Sequence, residues 1–324
     1  MDLLVLGGTR FVGRAVVMDA LSRGWQVTAL NRGVSGGLPD EVTQLVADRT
    51  DAAALAAALE GHRFDAVVDT WAGEPRVVQT AADLVRGSTD RYAYVSSLAV
   101  YAEGRPRGGD ESWAVIDADP SATAVSYEVD KRGGELAALA AFPDALLARA
   151  GVILGPWENV GRLPWWLTRF AEGGQVVAPG RPGRQWQFVD CRDLAAWVNG
   201  ALAGGVSGPF DVTCPAGHVS TVSFLEAVAA ATGHRAELVW RDDEAILAAG
   251  VEPWMQLPGW VPENDDYAGL MEADVSAALG TGLVCRPVEQ TVDDTWDWLQ
   301  QAPRHEGNPF GLPEELERGL LAVR

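Results

Sequence analysis

The start of this chain has the pattern of a buried strand, a glycine-rich turn and a helix. Asp2 to Leu6 is a short and mainly apolar run, as expected for a strand that is covered on both faces. The turn Gly7-Gly8-Thr9-Arg10-Phe11-Val12-Gly13 follows at once, and Arg14 to Arg23 has apolar residues at helical spacing. This order places the N-terminus of a helix where its backbone N–H groups can bind a pyrophosphate. The sequence therefore predicts an α/β fold that begins with a dinucleotide-binding unit.

The only lysine of the chain, Lys131, stands four residues after Tyr127. On a helix, residues at this spacing lie on the same face, so the phenol and the ammonium can meet at one site. A cation beside a phenol stabilises its ionised form, which makes the phenol a usable acid or base. A tyrosine and a lysine at this spacing also occur by chance on helix surfaces. The interpretation as a catalytic pair therefore depends on the rest of the chain.

A predicted strand upstream of this pair ends in two serines. Arg91 to Ser97 is rich in aromatic and β-branched residues, and a hydroxyl at the carboxyl end of a strand can face the same crevice as a tyrosine on the following helix. Ser97, Tyr127 and Lys131 are therefore the candidate catalytic residues, and Ser97 is also a candidate substrate contact. Together with the N-terminal turn, this arrangement resembles the short-chain dehydrogenase/reductase superfamily, specifically the extended branch that includes sugar-nucleotide epimerases, dehydratases and reductases.

The resemblance extends over nearly the whole chain and implies an α/β Rossmann fold. Such a fold has a doubly wound parallel sheet and, in this branch, a smaller and discontinuous C-terminal substrate lobe. We expect residues 1–156 to form the dinucleotide-binding domain, with residues 188–214 returning to it. Residues 157–187 and 215–324 are expected to form the substrate-binding lobe.

The resemblance also implies that the cofactor is bound by the turns that follow the strands. The candidate residues are Gly7, Thr9, Arg10, Phe11, Val12, Gly13, Asn31, Arg32, Asp48, Arg49, Thr70, Trp71, Ala72, Tyr127 and Lys131. Arg10 departs from the family pattern, which usually has glycine at that position. The second strand ends in Asn31-Arg32 and not in the acidic residue that bonds the ribose hydroxyl of NAD, so we predict NADP, with NAD as the alternative. The competing interpretation is that Arg32 only solvates a turn.

Two apolar residues argue against a sugar-nucleotide substrate. Val152 and Trp186 stand where nucleotide-sugar epimerases typically have an asparagine and an arginine for the diphosphate. We therefore expect a reductase or dehydrogenase that acts on a small, partly apolar carbonyl or alcohol, with Tyr127 as acid or base. Trp157 and Trp186 are candidate substrate contacts. Two alternatives stay open: an epimerase or lyase that retains NAD, and a non-catalytic, cofactor-sensing or RNA-associated relative.

Charge and composition limit the classes of function. The formal net charge of −20 opposes binding to nucleic acid, because neutralising phosphates requires a basic face. Three widely spaced cysteines and four scattered histidines show no metal-binding pattern, so no metal is expected. No apolar stretch approaches the roughly 20 residues needed to span a bilayer. We therefore expect a cytoplasmic enzyme for a small-molecule substrate, and a homodimer through the helix of Tyr127 is one possibility.

Overall fold

The computed structural model describes residues 1–264, 267–301 and 310–322 of the chain. Within them the strands are β1 (Asp2–Leu6), β2 (Gln26–Asn31), β3 (Thr43–Val46), β4 (Ala66–Asp69), β5 (Arg91–Ser97), β6 (Leu146–Ala150), β7 (Val152–Leu154), β8 (Gly174–Pro179), β9 (Phe188–Asp190), β10 (Gly208–Val212) and β11 (Ala236–Arg241). The helices are α1 (Phe11–Ser22), α2 (Ala52–Leu59), α3 (Pro75–Val85), α4 (Tyr127–Ala141), α5 (Arg162–Glu172), α6 (Cys191–Gly204), α7 (Thr221–Ala231), α8 (Asp243–Ala248), α9 (Ala268–Met271), α10 (Ser276–Gly280), α11 (Val288–Gln301) and α12 (Glu314–Ala322). A 3-10 turn, Leu98–Val100, follows β5.

Seven of the described strands form one parallel sheet in the order β3-β2-β1-β4-β5-β6-β10. Parallel neighbours cannot be joined by a tight turn, so the chain crosses over the sheet between them. It moves outward from β1 to β3 and then returns to the other side of β1 with β4. The reversal between β1 and β4 is where sheets of this kind bind ligands. This topology is the doubly wound Rossmann fold that the sequence predicts.

Helices cover both faces of the sheet. α1 and α6 pack on one face, and α2, α3 and α4 pack on the other. Successive side chains of a strand point to opposite faces, so Leu3 and Val5 contribute to the first core and Leu4 and Leu6 to the second. Because both faces are buried, β1 is a continuous apolar run with no polar alternation.

The rest of the chain builds a lobe with a core of its own. Strands β8 and β11 pair in parallel there, and helices α5, α7 and α11 pack around them. Strands β7 and β9 pair separately, where the lobe meets the sheet. Their alternate side chains face two cores: Val152 and Phe188 pack in the lobe, and Ile153 and Val189 pack against the sheet. These two short strands therefore tie the lobe to the Rossmann unit.

Some of the stretch predicted for the lobe packs elsewhere. Ala278 and Leu283 belong to the core between the sheet, α1 and α6, because the chain comes back along the edge strand β10 through α10. Residues 265, 266, 302–309, 323 and 324 were also expected in the lobe and lie outside the described residues. Among the helices that the structure describes, none is both long and apolar enough to cross a membrane.

Candidate active site

A cleft of about 960 Å³ lies at the carboxyl edge of the sheet. The residues that follow β1, β4 and β5 line its sheet side, and the first turns of α4 line one wall. The lobe contributes the rest of the lining, including Arg162, Trp254 and Tyr267. The cleft therefore lies at the reversal of strand order, where a doubly wound sheet can present loops from both of its halves to one ligand.

Ser97 is positioned by the end of β5. It is the last residue of that strand and caps the 3-10 turn that follows, where its hydroxyl oxygen accepts a 3.2 Å hydrogen bond from the backbone N–H of Ala99. The residue is 9% exposed and lines the cleft. A serine hydroxyl that accepts one bond keeps its own hydrogen for donation. Ser97 can therefore donate to an oxygen atom held in the cleft.

Tyr127 is the first residue of α4, which runs to Ala141 and also carries Lys131. It lines the cleft and is 52% exposed. In the part of the chain that the structure describes, its hydroxyl makes no hydrogen bond, neither to Ser97 nor to Lys131. The phenol is therefore presented to the cleft with its full hydrogen-bonding capacity, and the three predicted catalytic residues share one cavity.

Lys131 lies one turn further along α4 and is only 4% exposed. Its ammonium group donates to two backbone carbonyls of the sheet side, that of Trp71 at 2.8 Å and that of Val95 at 2.7 Å. A lysine has three N–H donors, so one remains for a ligand. Burial lowers the Lys131 pKa to about 8, although the negative charges of Asp69 and Glu135 act in the opposite direction.

A buried carboxylate below the cleft organises the residues around Lys131. Asp69 ends β4 and accepts both terminal amino groups of Arg49 at 2.7 Å, the Tyr92 hydroxyl at 2.6 Å and the backbone N–H of Trp71 at 2.9 Å. Burial opposes the ionised carboxylate, but Arg49 and these donors lower the Asp69 pKa overall. The guanidinium fork of Arg49 is therefore on Asp69, and a contact of Arg49 with the cofactor stays a prediction.

Two glycines of the turn are packed too closely against the protein for a side chain. A Cβ atom at Gly13 would lie 2.6 Å from the backbone nitrogen of Gly8, and one at Gly7, where φ is +130°, would lie 2.6 Å from the Thr70 hydroxyl. Arg10 occupies the N-cap of α1 without a side-chain cap bond. The first N–H groups of α1 therefore have no side-chain acceptor, which suits them for a pyrophosphate.

A second cavity of about 440 Å³ continues from the cleft and shares Arg10, Thr70 and Ala72 with it. All the residues predicted to contact the cofactor line one of the two cavities or both. The second cavity is lined by Gly7, Thr9, Arg10, Asn31, Arg32, Asp48, Arg49, Thr70, Trp71 and Ala72. The cleft is lined by Arg10, Phe11, Val12, Gly13, Thr70, Ala72, Tyr127 and Lys131. Together the two cavities form a path from the end of β2 to the catalytic residues, as an extended dinucleotide requires.

The side chain of Asn31, at the end of β2, is fixed by two hydrogen bonds. Its side-chain oxygen accepts the backbone N–H of Gly33 at 2.8 Å and the side-chain amide of Gln44 at 2.9 Å, so its amino group is the free end. That group is buried without a partner, as are Nε of Arg49 and Nε1 of Trp71. All three residues line the second cavity, although these nitrogen atoms themselves are buried.

The structure does not bring the two predicted substrate tryptophans to the cleft. Trp157 is 43% exposed and lies under the guanidinium of Arg14, 4.0 Å from its ring centroid, in a separate groove beside α1. Trp186 belongs to the lobe core, where its ring packs 3.9 Å from that of Phe224 and its N–H donates to the Gly259 carbonyl. Both expectations are therefore corrected: one ring stacks on a surface cation and the other fills the lobe.

The cleft contains lobe residues that are not among the candidate site residues taken from the sequence. Arg162, Trp254, Val261, Tyr267 and Leu270 all line it. They come from the start of α5 and from the segment between α8 and the end of α9. No local pattern marks them, because their approach to the sheet depends on how the lobe folds back.

Comparison with known proteins identifies the family. Residues 3–209, which contain the glycine turn and all three candidate catalytic residues, match the profile of the NAD dependent epimerase/dehydratase family. The chain belongs to this family. The resemblance to the extended short-chain dehydrogenases and reductases is thereby confirmed, and with it a family chemistry that depends on NAD.

Solved structures of the same fold include several epimerases. A putative epimerase from Burkholderia cenocepacia J2315 superposes with a TM-score of 0.70 at 20% identity, over 93% of this chain and 98% of that one. UDP-glucose 4-epimerase of Thermus thermophilus, solved with NAD, gives a TM-score of 0.65 at 19% identity, over 94% and 100% of the two chains. At these identities the similarity establishes the fold alone.

A plant protein is similar in sequence. The chloroplast stem-loop binding protein of 41 kDa b from Arabidopsis thaliana is 25% identical over 335 residues, which cover 90% of this chain and 83% of the relative. This similarity leaves the reaction of this chain to be inferred from its own site.

Proposed function

We propose that this protein is a nicotinamide-dependent oxidoreductase that interconverts a small, partly apolar carbonyl compound and its alcohol. The observation that carries the proposal is the meeting of Ser97, Tyr127 and Lys131 in one cleft with the N-terminus of α1. A serine hydroxyl, a phenol and a buried ammonium lie together beside two connected cavities that suit a dinucleotide. This combination supports acid–base chemistry on an oxygen atom of the substrate.

Each residue has a role that follows from its position. In the direction of reduction, Tyr127 donates its proton to the carbonyl oxygen, and in the reverse direction it removes the proton of the alcohol. The Ser97 hydroxyl donates a hydrogen bond to the same oxygen and stabilises the charge that develops on it. The charge of Lys131, held in place by two carbonyls, favours the ionised phenol and its remaining N–H can bond the cofactor ribose. A bound nicotinamide would supply or accept the hydride.

The second cavity supports NADP as the cofactor, with NAD as the alternative. At the end of β2 the cavity is lined by Asn31 and the cationic Arg32 and by no acidic side chain. The acid that does line it, Asp48, accepts the backbone N–H and the hydroxyl of Thr50, and these bonds lower the Asp48 pKa. A 2′-phosphate on the adenosine ribose would find donors at this end and no free carboxylate.

The proposal is tested by following nicotinamide absorbance while the purified protein is mixed with NADPH and a panel of small aldehydes and ketones. We expect turnover with the parent and a loss of roughly 100-fold or more with Tyr127→Phe, which removes only the hydroxyl. Ser126→Ala is the matched control: it removes a hydroxyl next to Tyr127 that bonds the Glu128 carboxylate, and Ser126 itself does not line the cleft. Equal turnover by Tyr127→Phe and the parent would refute the assignment.

A second candidate function is an epimerase that oxidises and reduces its substrate on a retained NAD. The fold neighbours that are UDP-sugar epimerases, some of them solved with NAD, favour it. Against it, Val152 lines the cleft with an apolar side chain where an asparagine is typical of such enzymes. Denaturing the purified protein and identifying any released nucleotide separates the two: tightly held NAD supports the epimerase, and no retained nucleotide supports the reductase.

We do not propose RNA as a partner of this chain, although the Arabidopsis relative is named for stem-loop binding. The formal net charge of −20 opposes binding to the phosphate backbone of RNA, which requires an extended basic face. A protein that only binds RNA also has no chemical need for the three residues that line the cleft. Measurable binding to an RNA stem-loop at moderate salt would reverse this view.

A further inference from the structure

Arg162 presents a positive charge to the cleft from the side of the lobe. It is the first residue of α5 and is half-buried. Its guanidinium lies 5.3 Å from the ring centroid of Trp254 and 5.0 Å from that of Phe310. The two rings hold the charged group in the cleft wall through cation–π contacts.

Among the described residues, no carboxylate forms an ion pair with the guanidinium of Arg162, in contrast to the deeply buried arginines. Arg49, Arg105 and Arg149 are each paired with a carboxylate. Among the described residues no carboxylate lies within ion-pair distance of Arg162, and its Nε is buried without a hydrogen-bond partner. A buried donor of a charged group is usually satisfied. The guanidinium of Arg162 therefore has the charge and the N–H donors needed to form an ion pair with a bound anion.

The neighbouring acid does not complete the pair. Glu158 is 1% exposed, and its oxygens accept the backbone N–H groups of Arg162 at 2.6 Å and Leu163 at 3.3 Å, so they face the helix end and not the guanidinium. Burial also raises the Glu158 pKa to about 7, although the charge of Arg162 acts in the opposite direction. The two groups therefore interact through their charges without forming an ion pair.

We propose that Arg162 binds an oxyanion of the substrate, a carboxylate or a phosphate, while Tyr127 acts on a carbonyl or hydroxyl group elsewhere on the same molecule. A guanidinium presents a planar fork of N–H donors that matches these anions. Val261 and Leu270, which line the same cleft, suit the hydrocarbon part between the two groups. This inference rests on the proposed function, because it takes the bound molecule to be the substrate. It adds an anionic group to the carbonyl compound or alcohol proposed above.

Binding can be measured without turnover. The protein, saturated with NADP⁺, is titrated by calorimetry with levulinate, with its neutral methyl ester and with UDP. We expect at least one anion to bind roughly 10-fold or more tightly than the ester. Arg162→Gln should lower the affinity for that anion by roughly 10-fold to 100-fold. Arg162→Lys keeps the charge without the fork and should recover part of the loss. Tight binding of levulinate identifies a small carboxylate, and binding of UDP alone identifies a nucleotide diphosphate.

The matched control is Arg181→Gln, which removes an exposed lobe arginine that pairs with Glu263 outside the cleft. It should bind each probe as the parent does. The inference is overturned if neither anion binds more tightly than the ester, or if Arg162→Gln binds the anions as well as the parent while its thermal unfolding is unchanged. Failure of the proposed function looks different, because Tyr127→Phe would then retain turnover while the role of Arg162 in anion binding stands.

Discussion

Glu158 connects the stability of the lobe to pH through the helix that carries Arg162. Its carboxyl group accepts the first N–H groups of α5, yet it is almost fully buried. Desolvation raises the Glu158 pKa from 4.5 to about 7 and outweighs the opposing effects of the Arg162 charge and of these hydrogen bonds. Folding therefore disfavours the ionised form of Glu158, even though a negative charge at a helix N-terminus is normally stabilising.

The size of the effect follows from the two pKa values of Glu158. A rise from 4.5 to about 7 corresponds to about 3 kcal/mol at about 1.4 kcal/mol for each pH unit. Because the folded-state pKa is raised above the unfolded-state value, this stabilisation is fully present below about pH 4.5 and is lost as the pH rises through about 7. Glu158→Gln has no proton to lose, so it abolishes this part of the pH dependence. Its amide nitrogen also faces the N–H of Leu163, at a cost of about 1–2 kcal/mol.

The two effects predict a crossover in the free energy of unfolding, measured with urea at about pH 5 and at about pH 8. At the lower pH, Glu158→Gln should be less stable than the parent by about 1–2 kcal/mol, and at the higher pH it should be equally or more stable. Glu172→Gln, at the exposed end of the same helix with 65% of its side chain accessible, is the control and should differ little from the parent at either pH. A Glu158→Gln difference that is the same at both pH values would refute the reasoning.

Two further predictions concern the cofactor and the buried ammonium. Asn31→Asp should lower the ratio of kcat/KM with NADPH to kcat/KM with NADH by roughly 10-fold or more, because a carboxylate repels a 2′-phosphate and accepts a ribose hydroxyl. An unchanged ratio would show that the end of β2 does not select the cofactor. The Lys131 pKa, lowered to about 8 by burial, predicts that carbonyl reduction slows as the pH rises through about 8, since the ammonium that favours ionised Tyr127 is then lost. A profile of kcat/KM that stays level well above that pH would argue against this role for Lys131.

The parts of the site that were predictable from sequence depend on local patterns. The strand β5 spans Arg91–Ser97, as its residue pattern predicts, and Tyr127 and Lys131 lie on one helix, α4. Spacing along one helix and the end of one strand fix which side chains face the sheet edge. The placement of Ser97, Tyr127 and Lys131 in one cleft follows from these two elements and the topology between them.

The parts that sequence did not reveal depend on partners distant in the chain. Whether an arginine meets a phosphate or a buried carboxylate depends on which groups the fold brings beside it. Arg49 pairs with Asp69, which lies 20 residues away in the chain. An aromatic residue in a loop can line a pocket or fill a core, and for Trp186 the packing of Phe224 decided it. Arg162 is distinguished by the absence of a counterion among the described residues, which is a property of the folded chain.

The central claim is that the hydroxyl of Tyr127 transfers the proton that accompanies hydride transfer in the cleft. The most direct test is the single-turnover rate of NADPH oxidation with a saturating carbonyl substrate, measured for the parent and for Tyr127→Phe at equal occupancy of the cofactor. We predict a rate for Tyr127→Phe that is lower by roughly 100-fold to 10,000-fold, with NADPH affinity unchanged. A single-turnover rate equal to that of the parent would contradict the account.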